Sequence, residues 1–125
     1  MPSTQTLERF VARVESNAHA AAIEEFYTEG ASMRENMTPP RVGRDALVAH
    51  ERAVLARARS VQSRCVRPLF VDGDLVVVRW IFRFEAHDGR VRELEELAYQ
   101  RWEGERIAEE QFFYDPSQFV PRDPT

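Results

Sequence analysis

The chain has 125 residues, 43% of them hydrophobic and 30% charged, which favours one domain over two and is enough to bury a core without covalent staples. The single cysteine, Cys65, excludes an intrachain disulfide and any multi-cysteine metal site, and so favours a reducing compartment. The 17 basic residues are all arginine, which excludes a Schiff-base lysine and a phosphate-loop nucleotide site, and the net charge of −4 has the wrong sign for a nucleic-acid partner.

From the N-terminus, MPSTQTLERF has neither a basic start nor an apolar run, so no secretory signal is expected. No apolar run approaches the roughly 20 residues of a membrane helix. The expectation is a cytoplasmic protein with no membrane partner. Leu7, Phe10, Val11 and Val14 recur at helical spacing, and Ala22, Ile23 and Phe26 repeat the pattern, which predicts helices over 4–16 and 19–28 with a break near Ser16-Asn17. A short strand over 31–36 follows, then a loop at Pro39-Pro40. A third helix, over 44–58, carries Leu47, Val54 and Leu55 on one stripe.

After residue 60 the period becomes two. Strands are predicted over 60–71, 75–86, 91–102 and 106–114, joined by Asp72-Gly73-Asp74, Asp88-Gly89-Arg90 and Glu103-Gly104-Glu105. Pro68 implies an edge strand or a bulge, and the tail from Asp115, with Pro116, Pro121 and Pro124, reads as loop. Helices followed by a long antiparallel meander make a single α+β domain over 1–125, with three N-terminal helices on one face of a strongly curved sheet that encloses a pocket.

In 75–86 the residues Val76, Val78, Trp80, Phe82 and Phe84 share one side and should line the interior. A three-residue turn at Asp88-Gly89-Arg90 sets Phe84 opposite Leu94, Phe82 opposite Glu96, Trp80 opposite Ala98 and Val78 opposite Gln100. A two-residue turn would instead bring Glu93, Glu95, Leu97 and Tyr99 inside; the first register is preferred, because its interior of Leu94, Ala98 and Trp102 holds fewer charges. In the last strand Ala108, Glu110, Phe112 and Tyr114 form one set; Ile107, Glu109, Gln111 and Phe113 form the other. A carboxyl held against aromatic surface is poorly solvated, and its raised pKa suits acid/base work near neutrality; the alternative is pairing with arginines on the exposed face.

The stretch YTEGASMRENMTPPRVGR at 27–44, the strand VVVRWIFRF and the closing GERIAEEQFFYDP resemble the nuclear transport factor 2-like superfamily. It includes ketosteroid isomerases, SnoaL-like polyketide cyclases and limonene epoxide hydrolase. The resemblance implies a cystatin-like cone: a mostly antiparallel sheet wrapped around helices, its pocket open at one end, commonly dimerising through the sheet. Fold alone does not fix function here. By that resemblance the isomerase base falls on Glu35. The two donors of its oxyanion hole fall on Phe10 and on Ala98 (or Leu97), none of which can donate. The last-strand aspartate of the epoxide hydrolase falls on Phe112. The cyclases, needing only a carboxylic acid/base over an apolar pocket without metal or cofactor, match with the fewest demands.

The candidate catalytic residues are therefore Glu35, His50 and Glu96. His50 sits three residues past Leu47 and could exchange protons near neutrality, or be satisfied by a backbone carbonyl. Candidate ligand-binding residues are Phe10, Trp80, Phe82, Ala98, Gln100, Glu110, Phe112 and Tyr114, although an aromatic stripe is more often core. Asn36, His19 and His87 read as structural. No spacing suggests a metal site, and no glycine-rich loop a nucleotide cofactor. The expected ligand is a small hydrophobic molecule, met by a cofactor-free isomerase or cyclase; the alternative is a non-catalytic binding or dimeric interaction module. Val77, Ile81, Leu97 and Tyr99, facing away from the helices, would form a homodimer surface.

Overall fold

The computed structural model describes residues 1–120. Helix α1 (Thr4–Glu15) begins at Ser3, whose hydroxyl accepts the Thr6 N–H at 3.0 Å, and buries Leu7, Phe10, Val11 and Val14. It stops where Asn17 turns left-handed at φ 70°, a conformation asparagine tolerates. Helix α2 (His19–Phe26) passes without a loop into β1 (Tyr27–Glu35). The second helix was expected to reach residue 28 and the strand to begin at 31. Tyr27 and Thr28 are strand formers, and Tyr27 already pairs with Ile107, which outweighs the helical pattern before it. After the Pro39-Pro40 loop a two-residue strand absent from the sequence reading, β2 (Arg41–Val42), pairs with Ser32 and Met33.

Helix α3 (Arg44–Ala56) starts after Gly43, whose φ of 102° needs glycine, and buries Leu47 and Val48. It ends two residues earlier than expected, because β3 (Ala58–Asp72) begins at once. Strands β4 (Leu75–Ala86), β5 (Val91–Glu103) and β6 (Arg106–Phe113) follow, then a short 3-10 helix (Pro116–Phe119) where a loop was expected. Pro121 and Pro124 lie outside the described residues.

The six strands form one sheet in the order β2-β1-β6-β5-β4-β3. It is antiparallel except between β1 and β6, which run parallel. Pro68 sits in edge strand β3, where the pairing shifts between Val66 and Phe70. No helix among the described residues is long and apolar enough to cross a membrane.

The inward set of β5 is as expected, but its pairing is displaced by two residues. Trp80 faces Glu96, Phe82 faces Leu94, Phe84 faces Arg92, and Val76 faces Gln100. The loop is His87-Asp88-Gly89 rather than Asp88-Gly89-Arg90: the Ala86 N–H donates to the Arg90 carbonyl at 2.8 Å, and Gly89 has φ 86°. A three-residue hairpin needs its positive-φ residue last, so the glycine fixes the frame. Glu95 stays outside, ion-paired with Arg79. A second departure lies in β6. The pairing with β5 shifts between Arg101 and Trp102, so Ile107 and Ala108 are both buried and Ile107 leaves the outward set.

The helices pack on the concave face. Phe10 is the hub of the contact, with its ring 5.4 Å from Phe26, 5.8 Å from Trp102, 6.3 Å from Trp80 and 6.5 Å from Tyr27, the first three edge-on. Phe10→Ala should therefore cost about 3–5 kcal/mol of unfolding free energy, whereas Leu97→Ala on the half-exposed outer face should cost less than about 1 kcal/mol. Urea denaturation of the two variants checks this; equal losses would show that Phe10 is not the hub.

Candidate functional site

Toward the open end of the cone the helices and sheet separate, leaving a cavity of about 520 Å³. Its sheet wall is Trp80, Phe82 and Phe84 from β4, Leu94 and Glu96 from β5, Glu110 and Phe112 from β6, and Met33 and Glu35 from β1. Its helical wall is Phe10, Val14, His19, Ala22 and Ile23, together with His50, Glu51 and Val54 of α3. Arg41, Arg57 and Arg92 also border it, and the Arg92 guanidinium lies 5.0 Å from the ring centres of both Phe84 and Phe119. The cone is not filled by its own aromatic side chains.

The polar floor is continuous with the core. The Trp102 indole donates to Gln100 Oε1 at 3.0 Å, and Gln100 Nε2 donates to Glu110 Oε2 at 2.6 Å. The Tyr27 hydroxyl donates to the other oxygen, Glu110 Oε1. Both hydrogen bonds favour the Glu110 carboxylate, yet burial opposes it more strongly and raises its pKa to about 7. The same burial and the adjoining carboxylate hold the Tyr27 phenol well above its ordinary value.

Glu96 stands two residues before Ala98 on the same face of β5, with 7% of its surface exposed. Among the described residues no side chain hydrogen-bonds to its carboxyl. Burial first, and then the charges of Glu110, Glu35 and Glu51, push its pKa to about 8. At neutral pH it is chiefly a carboxylic acid: a proton donor set beside Trp80 in an aromatic wall.

Glu35 lines the same cavity but is exposed, at the end of β1 opposite Phe112. Burial, followed by the charge of Glu35 and a hydrogen bond to it, raises the Tyr114 phenol to about 12. Asn36 caps the strand end: at φ 49°, it accepts the Tyr114 N–H through Oδ1 at 3.1 Å. His50 is half-buried on the cavity side of α3. Of the expected ligand-binding residues, Phe10, Trp80, Phe82, Glu110 and Phe112 line the cavity. Ala98, Gln100 and Tyr114 do not: Ala98 and Gln100 lie fully buried, and Tyr114 packs edge-on against Phe119 at 5.1 Å.

Tyr27, His19 and Glu51 are among the lining residues that the sequence candidates do not include. Tyr27 falls at the end of a predicted helix. His19 reads as structural from the sequence, yet its ring is buried against Phe82, 5.1 Å between centroids. Glu51 lies four residues past Leu47 and three before Val54, on the stripe that drew attention to His50, and the same spacing could have found it. Among the described residues no three His, Cys, Asp or Glu side chains converge closely enough to hold a metal ion.

Structural comparison finds the same architecture in proteins of very different sequence. A protein proposed to be a SnoaL-like polyketide cyclase from Mesorhizobium loti superposes with a TM-score of 0.75 at 18% identity, over 91% of this chain and 100% of its own. A nuclear transport factor 2-like protein of unknown function from Burkholderia pseudomallei gives 0.78 at 15% identity, over 93% and 92%. TerC gives 0.76 at 11%, over 92% of each chain. No curated protein matches the sequence. At these identities the structural likeness speaks for the fold alone, but the sequence itself matches the SnoaL-like domain family over residues 7–110. This chain belongs to the SnoaL-like family.

Proposed function

We propose that the cavity binds a small, flat, largely apolar molecule bearing a carbonyl group and moves a proton on it without a cofactor, as an isomerase or cyclase does. The observation that carries this reading is Glu96: a carboxyl kept protonated near pH 7, unpaired within the described residues, and turned into an aromatic cavity. A neutral carboxylic acid there donates to a carbonyl oxygen and stabilises the negative charge that develops when an adjacent C–H is ionised. Glu35, at the mouth, is the base that takes that proton; the electron pair passes to the oxygen as the enol forms, and the reverse steps return it. Phe10 and Ala98 supply no donor, so Glu96 takes the role that the resembling isomerases give to other positions. Family members described as polyketide cyclases, and TerC, co-crystallised with polyporic acid, fit a ligand of this kind. The outer sheet face, where Leu97 and Tyr99 are each 44% exposed between the Arg79–Glu95 and Arg101–Glu109 pairs, is proposed to meet a second copy of the chain.

Three outcomes follow. With 2-tetralone as a planar ketone probe in D2O, the protein should accelerate exchange of the α-protons. The rate should fall as pH rises through about 8 and Glu96 ionises, and Glu35→Gln should lower it by about a hundredfold or more at the α-position that Glu35 serves. Glu96→Gln, which keeps a donor but cannot ionise, should remove the decline at high pH; no acceleration by the wild type would sink the reading.

The same group governs stability. In the unfolded chain Glu96 and Glu110 ionise near the ordinary 4.5, but in the fold only near about 8 and about 7. The unfolded state thus binds fewer protons between these values, and stability is greatest below about pH 4.5 for these groups and lost as pH rises through the folded pKa values. Denaturation at pH 5 and pH 9 should show a smaller loss in Glu96→Gln than in the wild type.

Light scattering at micromolar concentration should report a dimer that Tyr99→Arg converts to monomer.

A further inference from the structure

We infer that Glu51 is a second proton acceptor of this cavity, held in place by His19, and that it works on a bound ligand from the helical wall, across the cavity from Glu96. The inference rests on the reading that the cavity performs proton transfer on a carbonyl compound. It is carried by a chain of contacts running from the edge of the sheet into the cavity. The Ser63 Oγ of β3 lies 2.7 Å from His19 Nε2, and His19 Nδ1 lies 3.4 Å from Glu51 Oε1. With Nε2 against Ser63, Nδ1 turned to Glu51 and its ring edge-on to Phe82, His19 is placed to orient Glu51. The glutamate's other oxygen is left for the cavity, which Glu51 lines.

The partner of Glu51 is unlike those of its neighbours. Glu24 and Glu25 on α2 pair with Arg52, and with Arg9 and Arg13, on the solvent side. Glu51, on the face turned inward, has only an imidazole, and no arginine reaches it among the described residues. Only 20% of its side chain is exposed. Its negative charge is felt by Glu96, Glu110 and Tyr27, which places it over the polar floor. Glu35, by contrast, is exposed at the mouth beside Tyr114.

A planar ligand lying on Trp80 and Phe82 would then have an acid on its sheet side and a base on its helical side. Glu51 removes a proton from the α-carbon turned toward the helical wall, while Glu35 serves the α-carbon nearer the mouth. The C–H electron pair becomes the new C=C bond, the carbonyl π pair moves to oxygen, and Glu96 delivers its proton there. Reversal, with a proton from Glu51, regenerates the ketone. No oxidant, metal or further reactant enters.

The test is α-proton exchange of 2-tetralone in D2O, followed by NMR at saturating ketone, with ketone affinity measured separately by tryptophan fluorescence. Glu51→Gln should bind the ketone as the wild type does and exchange one of its two α-positions about a hundredfold or more slowly, the other remaining with Glu35. Glu51→Asp, which keeps the charge but retracts it by one methylene, should also slow exchange, and it serves if the Gln variant does not fold. His19→Gln, which retains a donor toward Glu51, should keep more of the saturated rate than His19→Phe at equal affinity; a merely structural histidine would not produce that ordering. Full exchange in Glu51→Gln, with loss confined to Glu35→Gln, would overturn the role of Glu51 and leave the proposed function standing. A wild type that exchanges no faster than buffer would overturn both.

Discussion

Burying carboxyl groups against aromatic side chains is the constraint around which the cone is organised. A carboxylate cannot be moved into such a wall without either a partner or a proton, and this chain uses both solutions within two adjacent strands. Glu110 receives hydrogen bonds from Tyr27 and Gln100, and Gln100 is oriented by Trp102, so one polar chain links β1, β6 and β5 through the centre of the sheet. Glu96, four residues before Gln100 on the same face of β5, has no such partner among the described residues and keeps its proton instead. The two carboxyls raise each other's cost, because ionising Glu110 makes ionising Glu96 harder. The parallel pairing of β1 with β6 is what brings the Tyr27 hydroxyl to Glu110, so the one non-antiparallel contact of the sheet is also the one that completes the floor.

Much of this was legible in the chain. The helical stripe Leu7-Phe10-Val11-Val14 and the alternation of Val76-Val78-Trp80-Phe82-Phe84 each have one dominant period, and such patterns survive tertiary packing. The parity of β5 was legible too, since it places Leu94, Glu96, Ala98, Gln100 and Trp102 inward together. The pairing frame was less legible, because moving a three-residue turn by one position changes it by two residues and leaves every side chain on its own face. What decides is the left-handed backbone at Gly89, a signal the sequence carries in the glycine itself once the loop is required to end on it. Ile107 was missed for a related reason: a bulge changes parity at one point, and alternation assumes that no such point exists.

The site was read less completely than the fold. Glu96 and Glu110 were found from strand parity, His50 from a helix stripe and Glu35 from the family resemblance, and all four border the cavity. Tyr27 was lost at a junction with no loop, where the helical pattern of α2 runs to Phe26 and the next residue is already a strand. His19 looked like a helix-start residue, which it is; that its ring reaches Ser63 and Glu51 depends on β3 and α3 closing over it, and that contact spans 44 residues of sequence to Ser63. Long-range polar contacts leave no local period.

The distribution of arginine follows from the same constraint. With no lysine, every fixed cation is a broad, planar guanidinium that stacks readily on rings but fits poorly into a narrow floor. Many of these groups sit in outer ion pairs, Arg44 and Arg106 donate to the Tyr27 carbonyl, and Arg34, Arg41, Arg57 and Arg92 border the cavity, where Arg92 lies between Phe84 and Phe119. Among the described residues no arginine is ion-paired or hydrogen-bonded to Glu96 or Glu110 to hold either carboxyl ionised. An arginine there would hold Glu96 as a carboxylate and remove its ability to donate a proton. Keeping guanidinium groups off the floor is therefore the condition for acid chemistry at neutral pH in this cone, and it explains how a charged, arginine-rich chain can carry an uncharged acid at its centre.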